Sequence, residues 1–156
     1  MNDGLLRCWL AQAGFKVSDS LRDDIDRALS NSTTPLMYAA RVGDVEVVNE
    51  LLARGADPAV MNSDGNGALW FACFADSEEC VTALIKAGAP LDSQNVNGAT
   101  ALIYCASAGK APLVHLLLEA GANPDLVTLD DFSALELASN MACLRMLKAA
   151  GKAAYA

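Results

Sequence analysis

Apolar and polar positions along this chain follow a pattern with a 33-residue period. Leucine keeps that interval in four segments, at Leu36, Leu69, Leu102 and Leu135. Glycine keeps it in three of them, at Gly55, Gly88 and Gly121. A fixed period of this length is typical of a solenoid, whose units stack to bury a shared core. Solenoids present an extended surface to a partner, so the pattern favours a binding function over an active site.

Each unit is predicted to hold two helices joined by a tight turn. The first helix of the first unit starts after Thr34, a good N-cap, with Pro35 in the first helical position. Gly43 and Asp44 end that helix and start the next one. The apolar face of the second helix recurs from unit to unit, as Val48, Leu51 and Leu52, then Val81, Leu84 and Ile85, then Val114, Leu117 and Leu118.

Turn-forming residues separate these units. The glycine after each second helix suits the left-handed conformation that ends a helix. Asp64-Gly65 and Asn97-Gly98 are tight-turn signals. Asp130-Asp131 occupies the equivalent place in the last unit, where Asp tolerates left-handed geometry in place of glycine. The order within a unit is therefore turn, helix, tight turn, helix and loop.

These motifs resemble the ankyrin repeat. Residues 34–39, Thr-Pro-Leu-Met-Tyr-Ala, are similar to the family signature T-P-L-H-x-A with Met in place of His, and residues 67–72 and 100–105 match it more loosely. Gly-Ala-Asp-Pro at 55–58 and Gly-Ala-Asn-Pro at 121–124 resemble the Gly-Ala-Asp loop of the family. The resemblance covers roughly residues 31–151. It implies an all-α ankyrin-repeat solenoid over residues 31–156, with repeats at about 32–64, 65–97, 98–130 and 131–151.

The last repeat and the first thirty residues depart from the period. The last repeat is shortened near Asn140, and Lys148 takes an apolar slot, as expected of a capping repeat. The array should end at Gly151, with residues 152–156 as a short tail. A repeat before Thr34 would place its helix-ending glycine at Arg22. Residues 1–30 are therefore predicted to form a helical N-terminal cap or extension, with helices over about 5–13 and 19–29 and a capping box that starts at Ser20.

Composition narrows the class of protein. The chain has 156 residues and is 53% hydrophobic, yet no stretch is apolar for the roughly 18 residues of a membrane span. The N-terminus lacks the basic start of a secretory signal. The five cysteines include no C-x-x-C pair, and four of them occupy small apolar slots of the repeat, where Cys packs as a hydrophobe. These features favour a cytoplasmic protein with no membrane partner.

Charge bears on the kind of partner. The net charge is −8, which argues against nucleic acid, because phosphate binding needs clustered Lys and Arg. Residues 33–156 hold fourteen acids against seven bases. That excess would steer a partner protein with a basic surface toward the repeats. Maintenance of solubility explains the acidic surface equally well.

No arrangement of residues indicates catalysis, a cofactor or a metal. His115 is the only histidine, so neither an acid–base pair of histidines nor a two-His metal site is available. Its slot holds Asn49 and Thr82 in other repeats, which predicts an exposed position. The chain has no phosphate-binding loop and no nucleophile-elbow motif. We therefore expect a protein that is not an enzyme.

The ankyrin resemblance implies a binding surface on the concave face, formed by turn tips and by exposed ends of the first helices. The predicted partner-binding residues are Arg41, Ser63, Asp64, Asn66, Trp70, Phe74, Val96, Asn97, Ser107, Asp130 and Phe132. Tyr38, Phe71 and Tyr104 share one slot and are either core residues or interface anchors. Phe74 occupies a slot that is small or polar elsewhere, so exposure is expected there.

The predicted function is that of a monomeric interaction module that acts as an adaptor, an inhibitor or an assembly factor. One alternative is a structural protein that self-associates through the N-terminal helices. A less favoured alternative is an enzyme with an unrecognised site.

Overall fold

The 33-residue period appears in the structure as successive pairs of short helices joined by tight turns. A computed structural model describes the backbone of residues 1–154 and the side chains of residues 1–151. The chain divides into two units, which we call unit 1 (Met1–Ala89) and unit 2 (from Pro90 onward). The regular elements of the described residues are helices joined by turns and loops, and the only β-type pairings among these residues are the isolated bridges Met61–Gly67 and Val127–Ser133. The predicted all-α solenoid class is confirmed.

Unit 1 holds six helices. They are α1 (Asp3–Gln12), α2 (Leu21–Asp24), α3 (Pro35–Val42), α4 (Val45–Ala53), α5 (Ala68–Phe74) and α6 (Glu78–Lys86). The first helices of the two repeats, α3 and α5, pack against each other, and so do the second helices, α4 and α6. Each first helix also packs against its own second helix.

Unit 2 holds four helices among the described residues. They are α7 (Ala101–Ser107), α8 (Ala111–Glu119), α9 (Ala134–Leu137) and α10 (Met141–Ala154). Its first helices, α7 and α9, pack against each other, and its second helices, α8 and α10, do the same. The two units therefore repeat one internal arrangement.

Side-chain caps and glycines set the helix boundaries where the sequence predicts them. Thr34 caps α3 by accepting a hydrogen bond from the Met37 N–H, and Thr100 caps α7 in the same way. Asp44 caps α4 directly after Gly43, which is left-handed at φ 73°. These caps satisfy amide groups that have no partner within the helix.

The core consists of the repeating apolar slots. In the second helices the Val48, Val81 and Val114 slot is buried, and the leucines at 51, 84 and 117 are buried beside it. The slot of Leu52 is half-buried in the first three repeats, where it holds Leu52, Ile85 and Leu118. The predicted apolar faces are thus confirmed. Four cysteines, at 73, 80, 105 and 143, are buried, while Cys8 is exposed.

The N-terminal segment is closer to a repeat than the sequence indicates. Helix α1 is followed by Gly14, with φ 92°, and the Phe15 N–H donates to the Leu10 carbonyl at 2.9 Å. The second helix α4 ends in the same way, with Gly55 at φ 92° and the Ala56 N–H bonded to the Leu51 carbonyl at 2.9 Å. Helix α1 is therefore the second helix of an incomplete repeat.

An insertion in the following loop hides that register. The stopping glycine lies at position 14 and not at 22, so the loop that follows is eight residues longer than a strict period allows. The repeat register resumes at Asp26. Its carboxylate accepts a hydrogen bond from the Asp57 N–H. The equivalent pair lies two repeats later, where the Asp92 carboxylate accepts from the Asn123 N–H. The expectation that the first thirty residues depart from the repeat pattern is wrong for α1.

The second predicted N-terminal helix is much shorter than expected. It spans only Leu21–Asp24 instead of about 19–29. The Ser20 side chain makes no capping hydrogen bond, so the predicted capping box is absent. Ser18 instead donates its N–H and its hydroxyl to Asp24, and this network holds the inserted loop. The apolar stripe is partly correct, because Leu21 and Ile25 are buried and Leu29 is half-buried outside any helix.

The end of the array also differs from the prediction. Helix α9 has only four residues, which agrees with the shortening near Asn140. Lys148 is exposed, as expected of a capping helix. However, α10 continues through Gly151 to Ala154, so the predicted stop at Gly151 is wrong. Of the predicted tail, residues 155 and 156 lie outside the described residues.

Candidate functional site

Four equivalent hairpin turns are the repeated surface feature of the chain. We call the three residues at each bend the turn tips, at residues 30–32, 63–65, 96–98 and 129–131. Each hairpin is closed by a main-chain N–H that donates to the carbonyl four residues later, at 2.9–3.0 Å. The donors are Leu29, Asn62, Asn95 and Thr128. The third tip residue is left-handed throughout, as Ser32, Gly65, Gly98 and Asp131 at φ 64° to 76°. The predicted exchange of glycine for Asp in the last tip is confirmed at Asp131.

Hydrogen bonds join neighbouring tips within each unit. In unit 1 the Asn31 carbonyl accepts from the Ser63 N–H at 3.1 Å and from the Ser63 hydroxyl at 2.6 Å. In unit 2 the Asn97 carbonyl accepts from the Leu129 N–H at 3.0 Å. The Gln94 amide adds a bond of 2.9 Å to the Val127 carbonyl. The tips of a unit are therefore held at fixed spacing.

Unit 1 has a groove between its turn tips and its first helices, with a volume of about 270 Å³. We call it the tip groove. One wall comes from the turns and the other from α3 and α5, and the lining residues are Asn31, Thr33, Arg41, Asn62, Asp64, Trp70, Phe71 and Phe74. Four of the predicted binding residues, Arg41, Asp64, Trp70 and Phe74, thus meet in one place. Phe74 is 54% exposed, as expected from its slot.

Sequence reasoning missed the turn-side residues of this groove. Asn31 and Thr33 were not among the predicted residues, because no Asp-Gly or Asn-Gly pair marks the first tip. Asn62 was also not predicted, and it lies just before the second tip, which Asp64-Gly65 marks. The signal that could have found the first tip is the period itself, since Asn31 and Ser32 lie one period before Asp64 and Gly65. The remaining unit 1 predictions lie close by, with Ser63 exposed on its tip and Asn66 half-buried in the hairpin.

In unit 2 the predicted residues lie on the two tips and on the end of α7. Val96, Asn97, Asp130 and Phe132 are exposed on or beside the tips. Ser107 is exposed at the end of α7, where its hydroxyl donates to the Tyr104 carbonyl at 3.0 Å. These placements give unit 2 an exposed surface of its own.

The aromatic slot of the first helices is neither fully core nor fully exposed. Tyr38, Phe71 and Tyr104 are all half-buried. Tyr38 packs edge-on against Trp9 at 5.7 Å and against Phe15 at 6.0 Å between ring centroids, so it joins the N-terminal segment to the repeats. Phe71 lines the tip groove. Residues in this slot therefore have different neighbours, since Tyr38 contacts the N-terminal segment and Phe71 faces the tip groove.

Charged groups in unit 1 mainly fasten the N-terminal segment. The Arg54 guanidinium bonds Glu50 at 2.7 Å and Asp3 on α1 at 2.9 Å. The hydrogen bond from Arg54 lowers the pKa of Glu50, and the bond to Glu50 raises the pKa of Arg54. Burial raises the pKa of Asp24, but the hydrogen bonds from Ser18, with the nearby arginines, outweigh burial and leave that pKa lowered.

Nothing in the described residues has the arrangement of a catalytic or metal centre. No group of three His, Cys, Asp or Glu residues within this part of the chain could hold a metal ion. His115 is exposed, as predicted, and lies 3.1 Å from Glu119 on the same helix. A wider hollow of about 480 Å³ lies along α4 and α6, but its lining includes no aromatic residue. The tip groove is therefore the better candidate for recognition.

The paired helices and the projecting turn tips define a helical repeat protein with an interaction surface. The family model described as "Ankyrin repeats (3 copies)" matches residues 8–95, 36–128 and 69–152. This chain belongs to the ankyrin-repeat family. The first match starts at residue 8, before the residue 31 at which the resemblance was expected to begin, in agreement with the repeat-like end of α1. No curated protein matches the chain.

Ankyrin repeats are generally protein–protein interaction modules and are typically without enzymatic activity. No helix among the described residues is long and apolar enough to cross a membrane.

Proposed function

We propose that this protein is a cytoplasmic interaction module that binds a partner protein stoichiometrically through its turn tips and first helices. It would act as a monomeric adaptor, inhibitor or assembly factor. The observation that carries the proposal is the tip groove, where exposed and half-exposed aromatic side chains lie beside one cation and one carboxylate. Aromatic and Arg side chains are the usual energetic centres of protein interfaces.

The size of the groove supports a protein ligand. At about 270 Å³ it lies below the usual range for pockets that enclose small molecules. An ordinary protein contact buries about 800 Å² per partner, so the groove would hold one anchoring side chain of a larger footprint. Phe74 and Trp70 would pack against that side chain, while Arg41 and Asp64 would orient its polar neighbours.

The overall acidity supports a partner with a basic surface. The net charge is −8, and attraction between opposite charges speeds association more than it raises affinity. The partner's association rate should therefore fall as salt increases.

The test is capture of binding proteins from native lysate with the full chain as bait. The variant is Trp70→Ala with Phe74→Ala, and the matched control is His115→Ala, which removes an exposed ring outside the groove. We expect a protein that the wild type and the control retain in near-stoichiometric amount, and that the double variant loses at least tenfold, because hot-spot truncation costs about 2 kcal/mol or more. Circular dichroism would verify the folds. Equal recovery by all three baits would reject the groove as the binding site.

Self-association through α1 is a second candidate, because this helix exposes apolar residues. Leu5 is 60% exposed and Cys8 is exposed on the same helix. The equivalent positions in α4 carry Glu46 and Asn49. Light scattering on wild type and on Leu5→Ser would decide: a dimer mass that falls to a monomer in the variant favours self-association, and a monomer mass in both rejects it.

A further inference from the structure

The exposed tips of unit 2 carry large apolar side chains that the turn itself does not require. Val96 is 58% exposed and Leu129 is 75% exposed, and both occupy the first tip position. Phe132, which follows the last tip, is 48% exposed. We call these three residues the apolar tip patch. Large apolar side chains grouped on a surface mark an interaction site more often than scattered ones do.

The equivalent tips of unit 1 provide an internal comparison. One period before Val96 the chain has Ser63, and one period before Ser63 it has Ser30. The main-chain hydrogen bond that closes the hairpin has nearly the same length in both kinds of tip, at 2.9 or 3.0 Å. Serine therefore suffices to build this turn. The side chains of Val96 and Leu129 are therefore not needed for that hydrogen bond.

The three side chains belong to neighbouring segments. The Leu129 N–H donates to the Asn97 carbonyl at 3.0 Å, which brings the two tips of unit 2 together. Phe132 closes the hairpin that holds Leu129, because its carbonyl accepts from the Thr128 N–H at 2.9 Å. The apolar tip patch thus rests on backbone that hydrogen bonds already fix, so little ordering cost remains for binding.

The charged residues of the hairpin that carries Leu129 and Phe132 are of one sign. Asp130 and Asp131 are exposed between Leu129 and Phe132. The sequence has no Lys or Arg between Lys110 and Arg145, and the Lys110 ammonium lies over the Tyr104 ring at 5.2 Å. An incoming cation would therefore find two exposed carboxylates in the hairpin that carries Leu129 and Phe132, with no competing base from the same hairpin.

From this combination we infer that unit 2 docks a protein segment in which an apolar side chain stands next to Lys or Arg. The apolar side chain packs on Val96, Leu129 and Phe132, and the cation lies between Asp130 and Asp131. This inference rests on the proposed function, since it specifies the partner of a protein-binding module. The apolar tip patch differs from the tip groove of unit 1, where Arg41 and Asp64 carry charges of both signs.

The probe is a phage-displayed library of random peptides, selected on the immobilised full-length protein at low salt. The main variant, Val96→Ser with Leu129→Ser, places in unit 2 the residue that unit 1 already uses, so it should fold. Its control is Met141→Ser, which removes an apolar side chain of 58% exposure from α10. The charge variant is Asp130→Asn with Asp131→Asn, with Asp125→Asn as its control.

We expect enriched peptides that combine an aromatic or aliphatic residue with an adjacent Lys or Arg. Their affinity, measured with synthetic copies, should fall about tenfold in the double-serine variant and about two- to fivefold in the charge variant. Both controls should bind as wild type does. Added salt should weaken binding to the wild type more than to the charge variant.

Other results would overturn the inference. Peptides without basic residues, or peptides that bind the double-serine variant unchanged, would show that the patch does not select this chemistry. Peptides lost only by Trp70→Ala with Phe74→Ala would place recognition in the tip groove, so the proposed function would stand and the inference would fail. If no peptide is enriched on any bait and no protein is captured from lysate, both the inference and the proposed function are rejected.

Discussion

At the scale of single residues, left-handed positions explain much of the sequence. Each tip needs one residue with a positive φ, which costs a non-glycine residue about 1–2 kcal/mol. Gly65 and Gly98 avoid this cost, whereas Ser32 and Asp131 accept it at φ 64° and 66°. Asp76 does the same at the end of α5, where Gly43 stands in the preceding repeat. Because the residue type varies, a search for Asp-Gly or Asn-Gly pairs finds only two of the four tips.

Gly98 has a steric requirement that Gly121 lacks. A Cβ at Gly98 would lie 2.8 Å from the Leu129 main-chain nitrogen, whereas a Cβ at Gly121 would meet nothing within 4 Å. Both glycines are left-handed, at φ 76° and 100°. We expect Gly121→Ala to cost about 1–2 kcal/mol and Gly98→Ala about 1–3 kcal/mol more, because its backbone contact must shift. Urea unfolding measures both, and equal losses would contradict the steric account.

At the scale of elements, the sequence predicts the repeats well and the N-terminal segment poorly. Helix starts at Thr34 and Thr100 follow from local capping chemistry, and the faces of α4, α6 and α8 follow from periodicity. The prediction for helix α2 failed because the stripe of Leu21, Ile25 and Leu29 has helical spacing, although the helix ends at Asp24. The Asp24 side chain accepts from Ser18 in the preceding loop, a contact that apolar periodicity does not reveal. The first tip, and with it part of the turn side of the tip groove, was missed for a different reason, because Asn31-Ser32 stands where the next two tips carry Asp-Gly and Asn-Gly.

The same insertion predicts a pH-dependent stability. The Asp24 side chain is buried, accepts from the Ser18 N–H at 2.7 Å and from its hydroxyl at 2.8 Å, and lies 3.3 Å from Arg27. Its pKa is lowered from the ordinary 3.8. A carboxyl with a lowered pKa in the folded state stabilises the fold above its unfolded pKa, and that stabilisation is lost as pH falls through the folded pKa.

Asp24→Asn should therefore lower the urea midpoint at neutral pH, because a neutral amide cannot pair with Arg27 and offers Ser18 one acceptor oxygen instead of two. The difference from wild type should shrink as pH falls below 3.8. The control is Asp23→Asn, an exposed neighbour whose replacement should change stability by less than about 0.5 kcal/mol. A difference that stays constant down to about pH 3 would show that the Asp24 charge does not stabilise the fold.

At the scale of the whole molecule, the chain has a buried apolar interior whose slots recur from repeat to repeat, and a surface that varies between repeats. The buried cysteines occupy slots that alanine, valine or leucine fills in other repeats, as the sequence predicts. Burial raises the pKa of Cys80 and of Cys143, which lowers the thiolate fraction that reacts. Cys8 is exposed on α1.

One of the five thiols should therefore react with a water-soluble thiol reagent in the native protein at about pH 8. All five should react in urea, and Cys8→Ser should abolish the native reaction. Quantitative labelling followed by peptide mapping checks both expectations. Rapid native labelling of a second thiol would show that the core around it opens.

The hydrogen bonds of the turn tips have a consequence for how such a sequence can change over generations. Because main-chain atoms close each hairpin, the codons for positions 30, 63, 96 and 129 can drift without loss of the hydrogen bond that closes the turn. A lineage can thereby exchange one recognition target for another while selection preserves the interior unchanged. The same four positions are the natural place to randomise when the chain is used as a framework for selecting new binders.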